Sequence, residues 1–309
     1  MFSRIVFCIL LFFAGYVQAQ SISIRFVVPF GTGGLVDNVN RRFAEALEEE
    51  LGRKILVESK PGAAGYIGLK QIATAKADEI QLSILDANAI ANVILLHEDI
   101  TLDSFRYVIQ LGTTTSVAFA VRKGGDLRTI ADWRNYRGKS LMVGVNGLGG
   151  VHHYYNWIFK NQIPQTAITE VAYRGVGDMI TNLVGGHIDA GWSNLASLES
   201  HEQAGKIDIV AIIQSANSTT NYPTFDSQGI RMPETTKWLL ISNKSINDTM
   251  IKQIEASVKR LIQDSKFVQI IRNTGLLLEA NLVDQAQKTM QSSIKQQQEF
   301  VEYLRTQRK

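Results

Sequence analysis

The chain has 309 residues, of which 45% are apolar and 20% charged, with 32 Lys and Arg against 29 Asp and Glu. This near balance, with no long run of like charge and no basic stripe interleaved with aromatics, argues against nucleic acid as a partner. The single cysteine, Cys8, lies in the N-terminal apolar stretch, so the rest of the chain has no disulfide framework, thiolate metal site or cysteine nucleophile.

Arg4 followed by the apolar Ile5 to Val17, then Val17-Gln18-Ala19, is the layout of a secretory signal peptide cleaved after Ala19. The apolar stretch is shorter than the roughly 20 residues that span a bilayer, and no later stretch is long enough. A soluble, exported product is therefore expected, and its length suggests two domains at about 150 residues each.

Ile22 to Pro29 reads as a strand that ends in the glycine-rich Phe30 to Gly34. A helix follows, with Val39, Phe43, Ala46, Leu47 and Leu51 on one face. Ile55 to Val57 is the next strand, and the turn from Pro61 to Gly68 opens a second helix before a third strand at Leu82 to Leu85. The pattern then restarts with strands at Val117 to Val121 and Leu141 to Val145, separated by a short helix at Ile130 to Tyr136. Asn146 to Gly150 forms a turn before the helix that carries Trp157, Ile158 and Phe159. Strands at Ile168 to Tyr173, Ile188 to Trp192 and Ile207 to Ile213 follow, with a helix through Leu183 and Val184 between the first two. From Asp248 onward the spacing is helical, and these last helices are expected to return to the first lobe. Repeated β-α-β units predict an α/β fold with mostly parallel sheets covered by helices.

Three glycine-rich turns lie where a strand feeds a helix: Gly31 to Gly34, Gly62 to Gly65 and Gly147 to Gly150. The first amides of a helix lack internal partners and carry roughly half a positive charge, so such turns suit an anion without needing Lys or Arg. None is followed by the Gly-Lys-Ser/Thr of a P-loop, and His152 stands where a dinucleotide fingerprint needs its last glycine. A carboxylate is the natural candidate. The chain has no Gly-x-Ser-x-Gly elbow and no His-Glu-x-x-His zinc helix, so neither catalysis, a cofactor nor a metal is expected. His152 and His153 diverge by about 100° on a helix and cannot chelate one ion; His153 reads as helix-start packing or as a ligand contact. Asp86 and Asn88 follow the third strand, where a cleft would lie, and Asp86 could meet a cationic or hydroxyl group. Trp192, Ser193 and Asn194 hold the same place in the second lobe.

Taken in order, these segments resemble the Bug/TctC family, the periplasmic receptors of tripartite tricarboxylate transporters. The family's Pro-x-Pro-Pro-Gly-Gly-x-x-Asp corresponds to Pro29 through Asp37, with Gly31-Thr32 in place of its paired prolines. Its Glu-Asn-Arg-Pro-Gly-Ala-x-Gly-x-Ile-Gly is similar to Glu58 through Gly68, and its Gly-x-Gly-x-x-x-His to Gly147, Gly149 and His153. Tyr173-Arg174-Gly175 and Leu183 through Asp189 match two further motifs. Gly150 replaces the family's usual Ser, and Asp86 stands where the family often has a small hydroxylated residue.

The resemblance implies a type II periplasmic-binding-protein fold: lobe 1 from residues 20–120 and 222–309, lobe 2 from residues 121–221, and a ligand cleft between them. It implies a monomeric periplasmic receptor that captures a small carboxylate, such as a dicarboxylate, tricarboxylate, amino acid or aromatic acid, for membrane permease subunits. The alternatives are a sensing receptor that feeds a signalling partner and an exported enzyme that acts on small acids. The ligand-binding residues it implies, together with the loop readings above, are Phe30, Gly31, Thr32, Gly33, Gly34 and Asp37 in the first loop. Asp86 and Asn88 follow the third strand. Asn146, Gly147, Gly149, Gly150, His153, Arg174, Trp192 and Ser193 complete the set in the second lobe.

Overall fold

The computed structural model describes residues 23–279 and 285–307. The expected signal segment, residues 1–19, lies outside the described residues.

The first lobe opens with β1 (Ile24–Val28), α1 (Leu35–Leu51), β2 (Ile55–Ser59), α2 (Tyr66–Ala73), β3 (Ile80–Asp86), α3 (Ala87–Leu96) and β4 (Phe105–Thr114). β1 and β3 are apolar runs because helices cover both faces of the sheet, which leaves Ile24, Phe26, Val27, Leu82, Ile84 and Leu85 fully buried. α1 forms because Val39, Phe43 and Leu47 make one apolar stripe, and it ends at Gly52, whose φ of 59° is left-handed. Phe43 meets Phe267 edge-on at 4.9 Å, fixing α1 against the C-terminal helices. Burying such a ring contributes about 2–3 kcal/mol.

The second lobe runs through β5 (Ser116–Arg122), α4 (Ile130–Asn135), β6 (Leu141–Val145), α5 (Val151–Gln162), β7 (Ile168–Ala172), α6 (Val176–Val184), β8 (Ala190–Asn194), α7 (Leu195–Gln203) and β9 (Ile207–Gln214). Its core is aromatic: Trp192 stacks on Phe225 at 5.2 Å and lies 4.9 Å from Phe119. The chain then returns through β10 (Lys237–Asn243), α8 (Asp248–Leu261), α9 (Ser265–Arg272), β11 (Leu276–Leu278) and α10 (Ala286–Gln307).

The six-stranded sheet has the order β11-β4-β10-β3-β1-β2, and the five-stranded sheet β7-β6-β8-β5-β9. The mostly parallel sheets expected from the sequence are in fact mixed. β10 runs antiparallel to both β3 and β4, and β5 antiparallel to both β8 and β9. The cause is the crossing itself: β4 and β5 carry the chain out of the first sheet, and β10 brings it back against its neighbours' direction.

One residue, Thr115, separates the two outgoing strands, so the second sheet begins at Ser116, earlier than the boundary expected after residue 120. The return also comes later than residue 222, because Phe225 and Ile230 pack in the second lobe's core. The two crossings lie side by side, with Ser215 N donating to Thr115 O at 3.0 Å and Thr114 N to Thr236 O at 3.1 Å. α8 and α9 pack in the first sheet's core through Ile254, Val258, Phe267 and Ile271. α10 does more. Its Ala286 and Met290 are buried in the first lobe, while its Phe300 and Leu304 enter the second lobe's core.

Candidate functional site

Between the lobes, helix starts converge. α1 begins at Gly34, α5 at Gly150, α6 at Gly175 and α7 at Asn194, and none of these four N-termini has a side-chain cap. Gly34, Leu35, Val151, Gly175, Val176 and Asn194 all border one cavity of about 30 Å³. A volume of that size holds one or two water-sized groups, so the lobes stand closed around it. Four helix starts without side-chain caps that border one cavity, each with a helix dipole behind it, favour an anion there without any cationic side chain. α3 is the exception: Asp86, also at the cavity, caps it by accepting from Ala89 N at 2.8 Å.

The sequence suggests that the glycine-loop amides themselves receive the ligand. The structure gives several of them to the protein instead. Gly33 N donates to Asp37 Oδ2 at 3.0 Å, Gly149 N to His153 Nδ1 at 2.9 Å, and Gly147 N to Val145 O at 3.1 Å. Gly31 N donates across the cleft to Arg174 O at 3.1 Å. A Cβ on Gly175 would lie 3.0 Å from Gly31 Cα, so this latch needs two glycines face to face. Asn92 Nδ2, on α3, adds a second inter-lobe bond to Gly149 O at 2.8 Å.

Buried polar side chains at the cavity include Asp86, Asn146, His152 and Tyr155, with Thr114, Asn194 and Thr236 beside them. Asn146 Oδ1 and His152 Nδ1 have no hydrogen-bond partner, and the Tyr155 hydroxyl lies beside Thr236. Other buried polar atoms lack partners elsewhere, Ser83 Oγ and Ser193 Oγ among them, but these border the inter-lobe space. Burial raises the Asp86 carboxyl to about 6, against the opposing pull of the backbone amides of Ala89, Asp86 and Asn88. Burial pulls the His152 imidazole down to about 4 and pushes the Tyr155 phenol up, with the Asp86 charge adding to the latter. At neutral pH the imidazole and phenol are neutral and Asp86 is ionised. Trp238 Nε1 donates to Thr114 Oγ1 at 2.8 Å and closes the hinge side of the cavity.

Among the expected residues, Phe30, Gly31, Gly34, Asp86 and Asn146 border this cavity. The others have different placements, each for a physical reason. Thr32 is exposed, and Gly33 faces a separate groove beside Asn38 and Asn273. Asp37 is taken up by Gly33 N and by an ion pair with Arg41 at 2.8 Å. Asn88 is buried within α3 rather than at the cavity. Gly147 lies against Ala64, and Gly149 and Gly150 shape the turn, with Gly150 N donating to Gly147 O at 3.1 Å. His153 receives the Gly149 amide and packs edge-on to Phe300 at 5.1 Å. Arg174 contributes its carbonyl while its side chain is exposed. Trp192 belongs to the aromatic core and donates to Asn156 Oδ1 at 3.1 Å, and Ser193 is fully buried away from the cavity.

Sequence reasoning missed His152, Tyr155, Thr114, Thr236 and Trp238. The run Trp238 to Ser242 is apolar enough to announce a strand, and reading it would have placed Thr236 and Trp238 at a strand start. Nothing local marks His152 and Tyr155, because the fold selects their face of α5.

Two α/β lobes joined by paired crossings, with helix starts facing a closed cleft, define a two-lobe solute-binding protein. Among the described residues no group of three or more His, Cys, Asp or Glu side chains is placed to hold a metal, and no helix is long and apolar enough to cross a membrane. The chain belongs to the TctC family, the tripartite tricarboxylate transporter family receptors, whose profile matches residues 39–305. Protein BugT of Bordetella pertussis is 25% identical over 249 residues, covering 74% of this chain and 76% of that one. The structure of periplasmic binding protein BugD superposes with a TM-score of 0.77 at 22% identity, covering 92% of this chain and 97% of that one. MatC from Rhodopseudomonas palustris, solved with bound malate, gives a TM-score of 0.79 at 20% identity, covering 90% of this chain and 98% of that one.

Proposed function

We propose that this chain is a periplasmic receptor that holds a small carboxylate-bearing ligand between its lobes and hands it to the membrane subunits of a tripartite tricarboxylate-type transporter. The observation that carries the reading is the convergence of four uncapped helix starts on one inter-lobe cavity. Export by the N-terminal segment and action as a monomer belong to the same reading, as does binding without turnover. The bound malate of MatC is a carboxylate held in the same fold. Closure around ligand then shifts an equilibrium between open and closed lobes, with contacts from both lobes favouring the closed one.

Thermal melting against a panel of small mono-, di- and tricarboxylates and amino acids tests this. Ligand at a hundred times its dissociation constant adds about 2.7 kcal/mol, or about 4–5 °C for a protein of this size. A panel that leaves the melting temperature of the folded protein unmoved would contradict carboxylate binding. Uptake assays with the cognate permease deleted separate delivery from sensing: the transport role requires that uptake be lost.

A further inference from the structure

The cleft carries an asymmetry that carboxylate binding alone does not use. Apart from the helix-start amides, the polar atoms facing the cavity include two acceptors, the Asp86 carboxylate and Asn146 Oδ1, the latter buried without a partner. Asp86 is the one formally charged side chain among the lining residues, and neither Lys nor Arg joins it there. Its Oδ1 is held by Ala89 N at 2.8 Å, which fixes the carboxylate at the start of α3 on the lobe 1 wall. Tyr155, whose hydroxyl is buried, comes from the lobe 2 wall, and the Asp86 charge acts on it.

Charge bookkeeping then discriminates between ligand classes. A dicarboxylate would bring two negative charges to a buried space that already holds one and has no cationic side chain to offset them. A ligand with one carboxylate and one ammonium adds no net charge. Its carboxylate meets the helix starts, while its N–H groups meet the Asp86 carboxylate and Asn146 Oδ1, the latter otherwise without a donor.

Building on the carboxylate reading above, we propose that the cleft selects an amino acid, with Asp86 accepting from the ligand's ammonium group and Asn146 Oδ1 completing the acceptor pair. Asp86 is a specificity residue of the cleft, and its second role as a helix cap holds it in place.

Isothermal titration at pH 7.5 with matched pairs tests this: alanine against propionate, aspartate against succinate, glutamate against glutarate. The best-binding amino member is expected to bind at least tenfold tighter than its deaminated partner. Asp86→Asn keeps a residue that caps helices well and is expected to erase at least tenfold of that preference. Deaminated acids that bind the wild type as tightly as their amino partners would overturn the ammonium assignment and leave the carboxylate reading standing. Binding of none of the six compounds by folded protein would remove the carboxylate reading as well. An amino preference that survives intact in folded Asp86→Asn would overturn the role of Asp86. The wild-type pairs decide the ligand class even if the variant does not fold.

Discussion

Asp86 combines two demands on a single carboxylate, since it caps α3 through Oδ1 and stands buried at the cavity. Burial raises its pKa from 3.8 to about 6, so ionisation is harder in the folded state than in the unfolded one. Below pH 3.8 both states are protonated and burial costs nothing through this group. The penalty grows as pH rises through the folded value, reaching about 3 kcal/mol above pH 6. Asp86→Asn removes the titration and keeps the cap, so the unliganded variant is expected to be more stable than wild type by up to about 3 kcal/mol at pH 7.5, with the gap closing toward pH 4. Melting temperatures of both proteins across that range check it; a gap independent of pH would contradict the burial argument. The lowered His152 acts in the opposite sense, destabilising the fold as pH falls below about 6.5 toward 4. It is common to both proteins and cancels in the comparison. At this scale the sequence was half legible. Asp86 could be read because it ends an apolar strand run, whereas the choice between His152 and His153 depends on how α5 is rotated, which neighbouring residues do not encode.

At the scale of elements, the strand–turn–helix units were readable because each strand is an apolar run and each turn is marked by glycine. What escaped were β4 and β10, with β10 the strand that makes the first sheet mixed, because pairing of a returning strand depends on contacts more than a hundred residues apart, such as Lys237 with Thr113. The latch was hidden for the same reason, although Gly31 and Gly175 both stand in glycine turns. Gly175 has extended backbone angles, φ −167° and ψ 170°, which alanine adopts freely. The added Cβ would nevertheless meet Gly31 Cα at 3.0 Å, and backbone cannot yield there as a side chain would. Gly175→Ala is therefore expected to part the loops, weaken the Gly31–Arg174 bond and shift the unliganded protein toward open lobes. Small-angle scattering should show a larger radius of gyration, and ligand affinity should fall about five- to twentyfold, on the order of 1–2 kcal/mol. Thr32→Ala, at an exposed position in the same loop, serves as the control and should change neither. If Gly175→Ala matches wild type in both readouts, Gly31 and Gly175 do not govern closure.

At the scale of the whole molecule, two lobes with separate sheets could unfold separately, and α10 decides whether they do. The helix buries Ala286 and Met290 in the first lobe, while Phe300 is fully buried in the second. There the Phe300 ring lies 5.1 Å from His153, 5.5 Å from Tyr154 and 5.7 Å from Trp157, so it supports the start of α5, where the cavity wall begins. Arg305 Nη2 donates to Leu95 O at 2.8 Å, tying the far end of α10 back to α3. Together with the crossings at Thr115 and Thr236, this makes a third connection between the lobes, one that no local pattern in the C-terminal sequence reveals. Phe300→Ala leaves a cavity in that support and is expected to cost about 3–5 kcal/mol. Because the loss falls on the second lobe, calorimetry should show a single transition for the wild type and a second, lower one for the variant. The lower transition should be the one that loses the near-ultraviolet signal of Trp133 and Trp192 in the second lobe's core and of Trp157 packed against it. Ligand should move that transition upward, because α5 supplies part of the cleft wall. A single transition at the wild-type temperature in Phe300→Ala would mean that the crossings alone couple the lobes and that α10 merely lies across them.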